Sequence, residues 1–310
     1  MNEFELIASL SRSLPSNSEV MVGAGDDCAV LAPAQAGRCL LFKTDAVVEG
    51  IHFLRSAAPE KIGHKALARG LSDIAAMAGR PIAALVTLAL PEKFDPAWVQ
   101  KIYDGMNALA RRHRVAIAGG ETTRNPERLL ISIALLGDVA RDQCVLRSGA
   151  KGGDALFVTG ELGGAQAGKH LEFEPRLAEA RWLAEHFSIH AMIDLSDGLA
   201  GDLRHLMSRG NVGAELLRRA IPISRAARLR ARAETSGKAP LLAALTDGED
   251  YELLFAVASS DAVRLRDAWQ KEFPKIRLSC IGRITLEPGL KLRDEEGVRA
   301  LEEHGYVHFP

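Results

Sequence analysis

The sequence predicts a two-domain chain of the α/β or α+β class. Three observations carry this reading. The 310 residues are roughly two domains' worth of chain. Apolar runs of strand length alternate with longer stretches of helical spacing from end to end. Between 140 and 153 the composition turns polar, basic and glycine-rich, as Arg141-Asp142-Gln143 and Arg147-Ser148-Gly149-Ala150-Lys151-Gly152-Gly153. That shift places a boundary between a domain over 1–141 and a second over 142–310.

In chain order, Phe4, Leu6, Ile7 and Leu10 have helical spacing, so a helix is expected over 2–13. Strands are expected at 28–32 and 38–43, the second delivering Thr44-Asp45 to its end. Pro59 opens a helix to about Ala78, with Gly79 as its stop and Pro81 beyond. A strand at 82–90, a helix at 95–113 and strands at 114–118 and 129–138 complete the first domain. The second opens on a strand at 154–159, followed by helices at 163–171, 176–187 and 197–209. A strand at 212–217, a helix at 224–234, a strand at 251–258, a helix at 260–272, a strand at 277–283 and a short strand pair close the chain.

Bulk properties narrow the function. Net charge is −1 and aromatic residues are 5%, so neither a field nor a stacking surface favours nucleic acid, and nothing favours an anionic membrane. No apolar run approaches the ~20 residues that span a bilayer. Cys28, Cys39, Cys144 and Cys280 are scattered, which argues against a zinc site or disulfide framework. The N-terminus is acidic and carries no basic, apolar leader, so a cytoplasmic location is expected.

The chemistry lies in repeated acidic turns. Gly23-Ala24-Gly25-Asp26-Asp27 precedes the apolar run Cys28-Ala29-Val30-Leu31. The same grammar of small residues and carboxylates returns in Thr44-Asp45, Ser72-Asp73, Gly119-Gly120-Glu121-Thr122-Thr123, Asp194-Leu195-Ser196-Asp197-Gly198 and Asp247-Gly248-Glu249-Asp250. Adjacent carboxylates repel unless a cation lies between them, and hard oxygen ligands suit Mg²⁺. Asp73, late in a helix of small and apolar residues, needs a cation or several donors as compensation. Glu121, at a strand-to-loop exit, stands where main-chain amides can meet phosphate oxygens. Ser196 or Asp197 can cap the helix that follows.

Other residues divide less cleanly. His52 between Ile51 and Phe53 fits a structural role, and Arg147 fits either a phosphate clamp or a linker charge. His186 and His190 are four apart, but the intervening Ser188 and Ile189 argue against a metal pair on one helix. Gly163-Gly164-Ala165-Gln166-Ala167-Gly168-Lys169-His170 nearly matches a Walker A loop, with His170 where a hydroxyl belongs. Its glycines are read instead as close packing at a helix start.

In this order the motifs resemble the thiamine-monophosphate kinase family, of the superfamily that also contains aminoimidazole ribonucleotide synthetase and selenide-dependent dikinase. The resemblance spans nearly the whole chain. It rests on Gly23-Ala24-Gly25-Asp26-Asp27-Cys28-Ala29-Val30, Thr44-Asp45 through Val48-Glu49-Gly50-Ile51-His52-Phe53, Leu71-Ser72-Asp73-Ile74-Ala75-Ala76-Met77 and Gly119-Gly120-Glu121-Thr122-Thr123. Arg147-Ser148-Gly149-Ala150-Lys151, Ile193-Asp194-Leu195-Ser196-Asp197-Gly198-Leu199 and Gly248-Glu249-Asp250-Tyr251-Glu252-Leu253 complete it. The resemblance implies transfer of the γ-phosphoryl group of ATP to thiamine monophosphate, with several Mg²⁺ ions and no general base. It implies metal ligation by Asp27, Thr44, Asp45, Asp73, Glu121, Asp194 and Asp197. Gly120, Glu121, Arg147 and Ser196 would touch ATP, while His52, Glu249 and Tyr306 would line the thiamine-phosphate side. It also implies a homodimer in which the sheet of the N-terminal α/β domain joins its twin, with a C-terminal α/β domain following.

Three departures stand out. Glu121 occupies a position where the family usually has aspartate, Lys43 one where it often has a small hydroxylic residue, and the segment between Lys169 and Ala191 is shorter than usual. Lys43 pointing inward would let its ammonium replace a metal ion; strand alternation can instead turn it outward. The alternatives are a superfamily relative using ATP on another small substrate, and a non-catalytic homologue that binds nucleotide or thiamine phosphate.

Overall fold

The computed structural model describes residues 20–22, 26–32, 37–233, 238–302 and 305–306. The expected helix over 2–13 and the glycines Gly23 and Gly25 lie outside the described residues. The chain divides into two compact units, an N-terminal one of residues 18–144 with 168–177 and a C-terminal one containing 145–167 and 178–310.

The N-terminal unit holds six strands: β1 (Val20–Val22), β2 (Ala29–Leu31), β3 (Arg38–Val48), β4 (Arg80–Leu90), β5 (Ala116–Arg124) and β6 (Leu130–Ala140). They lie in the order β1-β2-β3-β6-β4-β5. Two helices, α1 (Pro59–Ala76) and α2 (Pro96–His113), complete it. Proline at the first helical position starts each, and the Asp95 carboxylate caps α2 by accepting from Ala97 N at 2.9 Å. Helix α1 packs on β3, β4 and β6 and also against α2, which is why its residues from Ile62 to Ala76 are mostly buried. The helices approach closely because Gly63 and Gly105 lack side chains. A Cβ on Gly63 would lie 1.8 Å from Ile102 O, and one on Gly105 would lie 1.8 Å from Glu60 O.

Two strands run further than the side chains suggest. Strand β3 continues through Lys43-Thr44-Asp45 to Val48, pairing antiparallel with β6 from Arg38 opposite Ala140 to Val48 opposite Leu130. Strand β5 continues through Gly119-Gly120-Glu121 to Arg124, pairing parallel with β4. Thr44-Asp45 and Glu121 are therefore within strands, not at a strand end or a loop exit. Ladder hydrogen bonds with a long neighbour hold the backbone extended whatever the side chains are.

The C-terminal unit is built on seven strands: β7 (Ala155–Thr159), β8 (Ile189–Asp194), β9 (Gly213–Leu217), β10 (Leu253–Val257), β11 (Leu278–Thr285), β12 (Gly289–Asp294) and β13 (Gly297–Ala300). Their order is β13-β12-β9-β11-β7-β10-β8. Its helices are α3 (Leu177–His186), α4 (Leu199–Gly210), α5 (Arg225–Ala233), α6 (Pro240–Thr246) and α7 (Ala262–Glu272). Leu156, Val158, Ile193 and Leu254 from the sheet pack with Leu199, Leu203 and Leu206 of α4 in one buried cluster. Phe157 and Phe255 are paired across β7 and β10 and stack with centroids 5.6 Å apart. Helix α6 is too short to have shown a period in the sequence.

The expected helix over 163–171 is replaced by two short 3₁₀ turns, Ala165–Ala167 and Lys169–Leu171. Gly163 and Gly164 adopt φ of 81° and 74°, outside helical space, so no α-helix can start there. Among the described residues no helix is long and apolar enough to cross a membrane.

Candidate metal and phosphate site

In the N-terminal unit the pleat of β3 separates Thr44 from Asp45. Lys43 and Asp45 face α1, where they meet Asp73 and Arg69, whereas Phe42 and Thr44 are exposed on the other face. The Thr44 hydroxyl therefore does not share a site with the Asp45 carboxylate; only its main chain can. Asp45 also accepts from Ala46 N at 2.8 Å. Its other oxygen lies 3.1 Å from Arg69 Nε, and Arg69 donates to Ala46 O at 2.9 Å.

Asp27 and Asp73 come together. Both are buried, and each offers a carboxylate oxygen within 4.8 Å of the other. Asp26 supports the turn by accepting from Asp27 N at 3.0 Å. Lys43 resolves its two possible orientations inward: its Nζ is 2.9 Å from Asp73 Oδ1. Burial pushes the Asp73 carboxyl up to about 7 against the pull of Lys43, and the charges of Asp45 and Asp27 add to the rise. Burial works to lower the Lys43 ammonium, but Asp73 and Asp45 outweigh it and hold it above its ordinary value. Two hard, buried oxygen donors this close fit a divalent cation.

His52 is held at both ends. Its Nδ1 accepts from Val48 N at 3.1 Å, which places the ring proton on Nε2, and its carbonyl accepts from Lys65 Nζ at 2.6 Å. Lys65, fully buried on α1, also bonds His170 Nδ1 at 2.7 Å. Glu121 is exposed on β5 and folds back to accept from Thr122 N at 3.0 Å. Gly120 is required by the ladder itself, since a Cβ there would lie 1.8 Å from Val86 O.

In the C-terminal unit β8 delivers buried Asp194 at its last residue. The turn that follows gathers several expected residues. Glu249 N donates to Ser196 O at 2.7 Å, and Tyr306 N donates to Asp197 O at 2.8 Å. Ser196, Asp197, Glu249 and Tyr306 thus share one neighbourhood. Neither Ser196 nor Asp197 caps α4; the cap position is Gly198, at φ 100°, with no side-chain bond. Glu249 and Tyr251 adopt φ of 59° and 50°, a conformation that non-glycine residues hold only when the surroundings impose it. Here Tyr251 N donates to Leu195 O, and Leu195 N to Glu252 O.

The other acids of that loop have structural work. Asp250 accepts from Gly163 N with both oxygens, at 3.0 and 2.9 Å, and Asp247 accepts from Gly164 N at 3.0 Å. Asp247 also pairs with Arg230 and Lys238. The amides of the Walker-like segment therefore face protein carboxylates rather than a phosphate. His186 and His190 are likewise separate, the first bonded to Trp182 O and the second to Asp154. A cavity of about 320 Å³ lined by Glu215, Leu217, Gly282, Arg283 and Arg293 includes none of the candidate residues.

Asp202 was not anticipated. It is buried and accepts from Asp197 N at 3.0 Å, fastening the turn between Asp194 and α4. Burial pushes its carboxyl well up, with Asp197 and Asp194 adding, while Arg147 works in the opposite direction. The sequence held a signal: Asp202 falls on the i, i+3, i+4, i+7 stripe of Leu199, Leu203 and Leu206, and a carboxylate on an apolar stripe needs a partner.

Two family models match the chain: AIR synthase related protein, N-terminal domain, over residues 25–139, and AIR synthase related protein, C-terminal domain, over residues 147–295. A thiamine-monophosphate kinase of Rhodopirellula baltica is 43% identical over 81% of this chain and 80% of its own length. That of Bacillus subtilis is 33% identical over 100% of both chains. Among solved structures, AaThiL complexed with AMPPCP and TMP superposes with a TM-score of 0.80 at 32% identity, covering 99% of this chain and 97% of that one.

Proposed function

The chain belongs to the AIR synthase related family, among its thiamine-monophosphate kinases, and from that premise we propose that it transfers the γ-phosphoryl group of ATP to thiamine monophosphate, giving thiamine diphosphate and ADP. The observation that carries the reading is the buried Asp27–Asp73 pair in a chain related over its full length to such kinases. AaThiL, similar in fold throughout, was solved with AMPPCP and TMP.

The acceptor is a phosphate oxygen, ionised near neutral pH, so the reaction asks for positioning and charge neutralisation rather than a strong base. Mg²⁺ ions supply that neutralisation when bound. Asp27, Asp45, Asp73, Asp194 and Asp197 are the proposed ligands, together with the Thr44 main chain and Glu121. On the nucleotide, Arg147, Ser196, Gly120 and Glu121 are the proposed contacts. On the acceptor they are His52, whose Nε2 carries the donor proton, Glu249 and Tyr306. The main chain of Glu249 is held in its left-handed conformation by its own N–H on Ser196 O and by that of Tyr251 on Leu195 O.

A homodimer through the N-terminal sheet is part of the reading. Strand β5 is an edge whose residues are almost all exposed, and Phe42 and Leu85 are 49% and 52% exposed on strands of the same sheet. A long edge and bare apolar residues favour pairing with a second copy. None of Cys28, Cys39, Cys144 and Cys280 is in a disulfide, which is compatible with a reducing compartment such as the cytoplasm.

The test is ADP release by the purified chain with ATP and Mg²⁺, compared across thiamine monophosphate, aminoimidazole precursors and other phosphorylated acceptors. Release that depends on thiamine monophosphate supports the reading. Release that follows another acceptor makes the chain a different member of the superfamily. Tight binding without release makes it a binding homologue.

A further inference from the structure

Lys43 sits where a metal ligand should be open. Its Nζ is 2.9 Å from Asp73 Oδ1, its side chain is 25% exposed, and its main chain is fixed in the middle of β3 opposite Leu135. On the same face Arg69 Nε lies 3.1 Å from Asp45 Oδ2, with only 15% of the arginine side chain exposed. Two of the three aspartates proposed as ligands in this unit are therefore already matched by fixed protein cations. Asp27 is the third, and its nearest oxygen lies within 4.8 Å of that of Asp73.

We propose that the Lys43 ammonium permanently holds one of the cation positions at Asp73, so that the chain binds fewer divalent ions than its carboxylates alone would take. The inference rests on the metal-site reading above and adds to it how the site is charged. A Mg²⁺ ion bound to Asp73 Oδ1 at ~2.1 Å would stand within a few ångströms of the ammonium, and like charges that close oppose each other strongly where water is scarce. The ammonium already holds one of the two Asp73 carboxylate oxygens at ordinary hydrogen-bond length and so competes with an ion for that carboxylate. Strand β3 is paired along its whole length with β6, which fixes the main chain from which Lys43 reaches Asp73. Lys43 thus supplies charge to the phosphates without being released with the product. Dependence of turnover on free Mg²⁺ is correspondingly shallower than in a chain without a cation there.

Free Mn²⁺ is titrated by electron paramagnetic resonance against the full-length chain and its Lys43→Ser, Lys43→Met and Lys43→Arg variants, without nucleotide. The Ser and Met variants are expected to bind about one more Mn²⁺ per chain than wild type, and Lys43→Arg to match wild type, because it alone keeps a fixed cation. Thermal melts give a second readout. Lys43→Ser leaves Asp73 without its ammonium, so it should melt lower without metal and gain more from Mn²⁺ than wild type does. Lys43→Met keeps the packing of the stem should the Ser variant fold poorly. Equal Mn²⁺ counts in wild type, Ser and Met overturn the proposal and leave the metal reading standing. Failure of all four chains to bind Mn²⁺ overturns the metal reading and this inference with it.

Discussion

The buried carboxylate of Asp202 accepts a hydrogen bond from the main-chain N–H of Asp197 at 3.0 Å, so the first turn of α4 fastens the acidic turn that precedes it. Burial and its acidic neighbours favour the neutral form of Asp202, and a neutral acid is closely mimicked by an amide. Asp202→Asn should keep turnover within about threefold of wild type, because its amide oxygen still accepts from Asp197 N. Asp202→Ala should lower kcat by more than about tenfold, since displacement of a positioned group by an ångström carries penalties of that order. A similar fall in both variants would place the role of Asp202 in its charge rather than in its bond.

Asp73 makes the metal-free protein sensitive to pH. Its folded-state carboxyl titrates at about 7, above the ordinary 3.8, so its contribution to stability is full below pH 4 and is lost as pH rises through 7. Asp73→Asn removes that titration. The difference in Tm between Asp73→Asn and wild type should therefore move in favour of the variant from pH 5 to pH 8 in the presence of a chelator. Mg²⁺, by preferring the ionised carboxylate, should shrink the effect for wild type alone. The same variant should lose most turnover at every pH while remaining folded by circular dichroism.

The glycine-rich segment after β7 is a structural knot. Gly163 donates to both oxygens of Asp250, and a Cβ on Gly163 would lie 2.6 Å from Ala244 N. Asp250→Ala leaves a buried amide without its acceptor and should cost about 1–3 kcal/mol, read from denaturant unfolding. Gly163→Ala adds a main-chain clash and a left-handed backbone, and should be at least as destabilising. ATP affinity should survive in whatever fraction of either variant folds. Loss of ATP binding from a fully folded Gly163→Ala would revive the phosphate-loop reading of that segment.

Glu121 folds back on its own strand, accepting from Thr122 N at 3.0 Å. Aspartate is one methylene shorter. Glu121→Asp should raise kcat if the longer side chain holds the carboxylate away from a bound ion, whereas Glu121→Gln, which keeps the length and removes the charge, should lower it several-fold. Steady-state kinetics at saturating Mg²⁺ separate the two. A Glu121→Gln variant with the wild-type rate would remove Glu121 from the ligand set.

What the sequence made legible follows from range of interaction. Helices α1 and α2 are governed by local signals, Pro59 in one and the Asp95-Pro96 cap in the other, and both begin within a residue of expectation. The acids also stood out locally, because Asp27, Asp73 and Asp194 lie in apolar surroundings and proved buried. Strands β3 and β5 outran their expected ends because their length is set by β6 and β4, which no local pattern reports. The fates of Asp247 and Asp250 were hidden for the same reason, since their amide partners lie more than eighty residues away. Thr44 and Asp45 read as one motif, yet the pleat places them on opposite faces; recognising this required knowing that the strand runs through them.

Transfer of the γ-phosphoryl group of ATP onto thiamine monophosphate, the proposed reaction, leaves a trace that can be followed atom by atom. The most direct test follows radiolabel from the γ-position of ATP after incubation with the purified chain, Mg²⁺ and thiamine monophosphate, with thiamine species separated by chromatography. The expected result is label in thiamine diphosphate, in amounts equal to ADP formed, and none with Asp73→Asn. Label recovered only in ATP or in inorganic phosphate, with the wild-type chain folded and Mg²⁺ saturating, would contradict it.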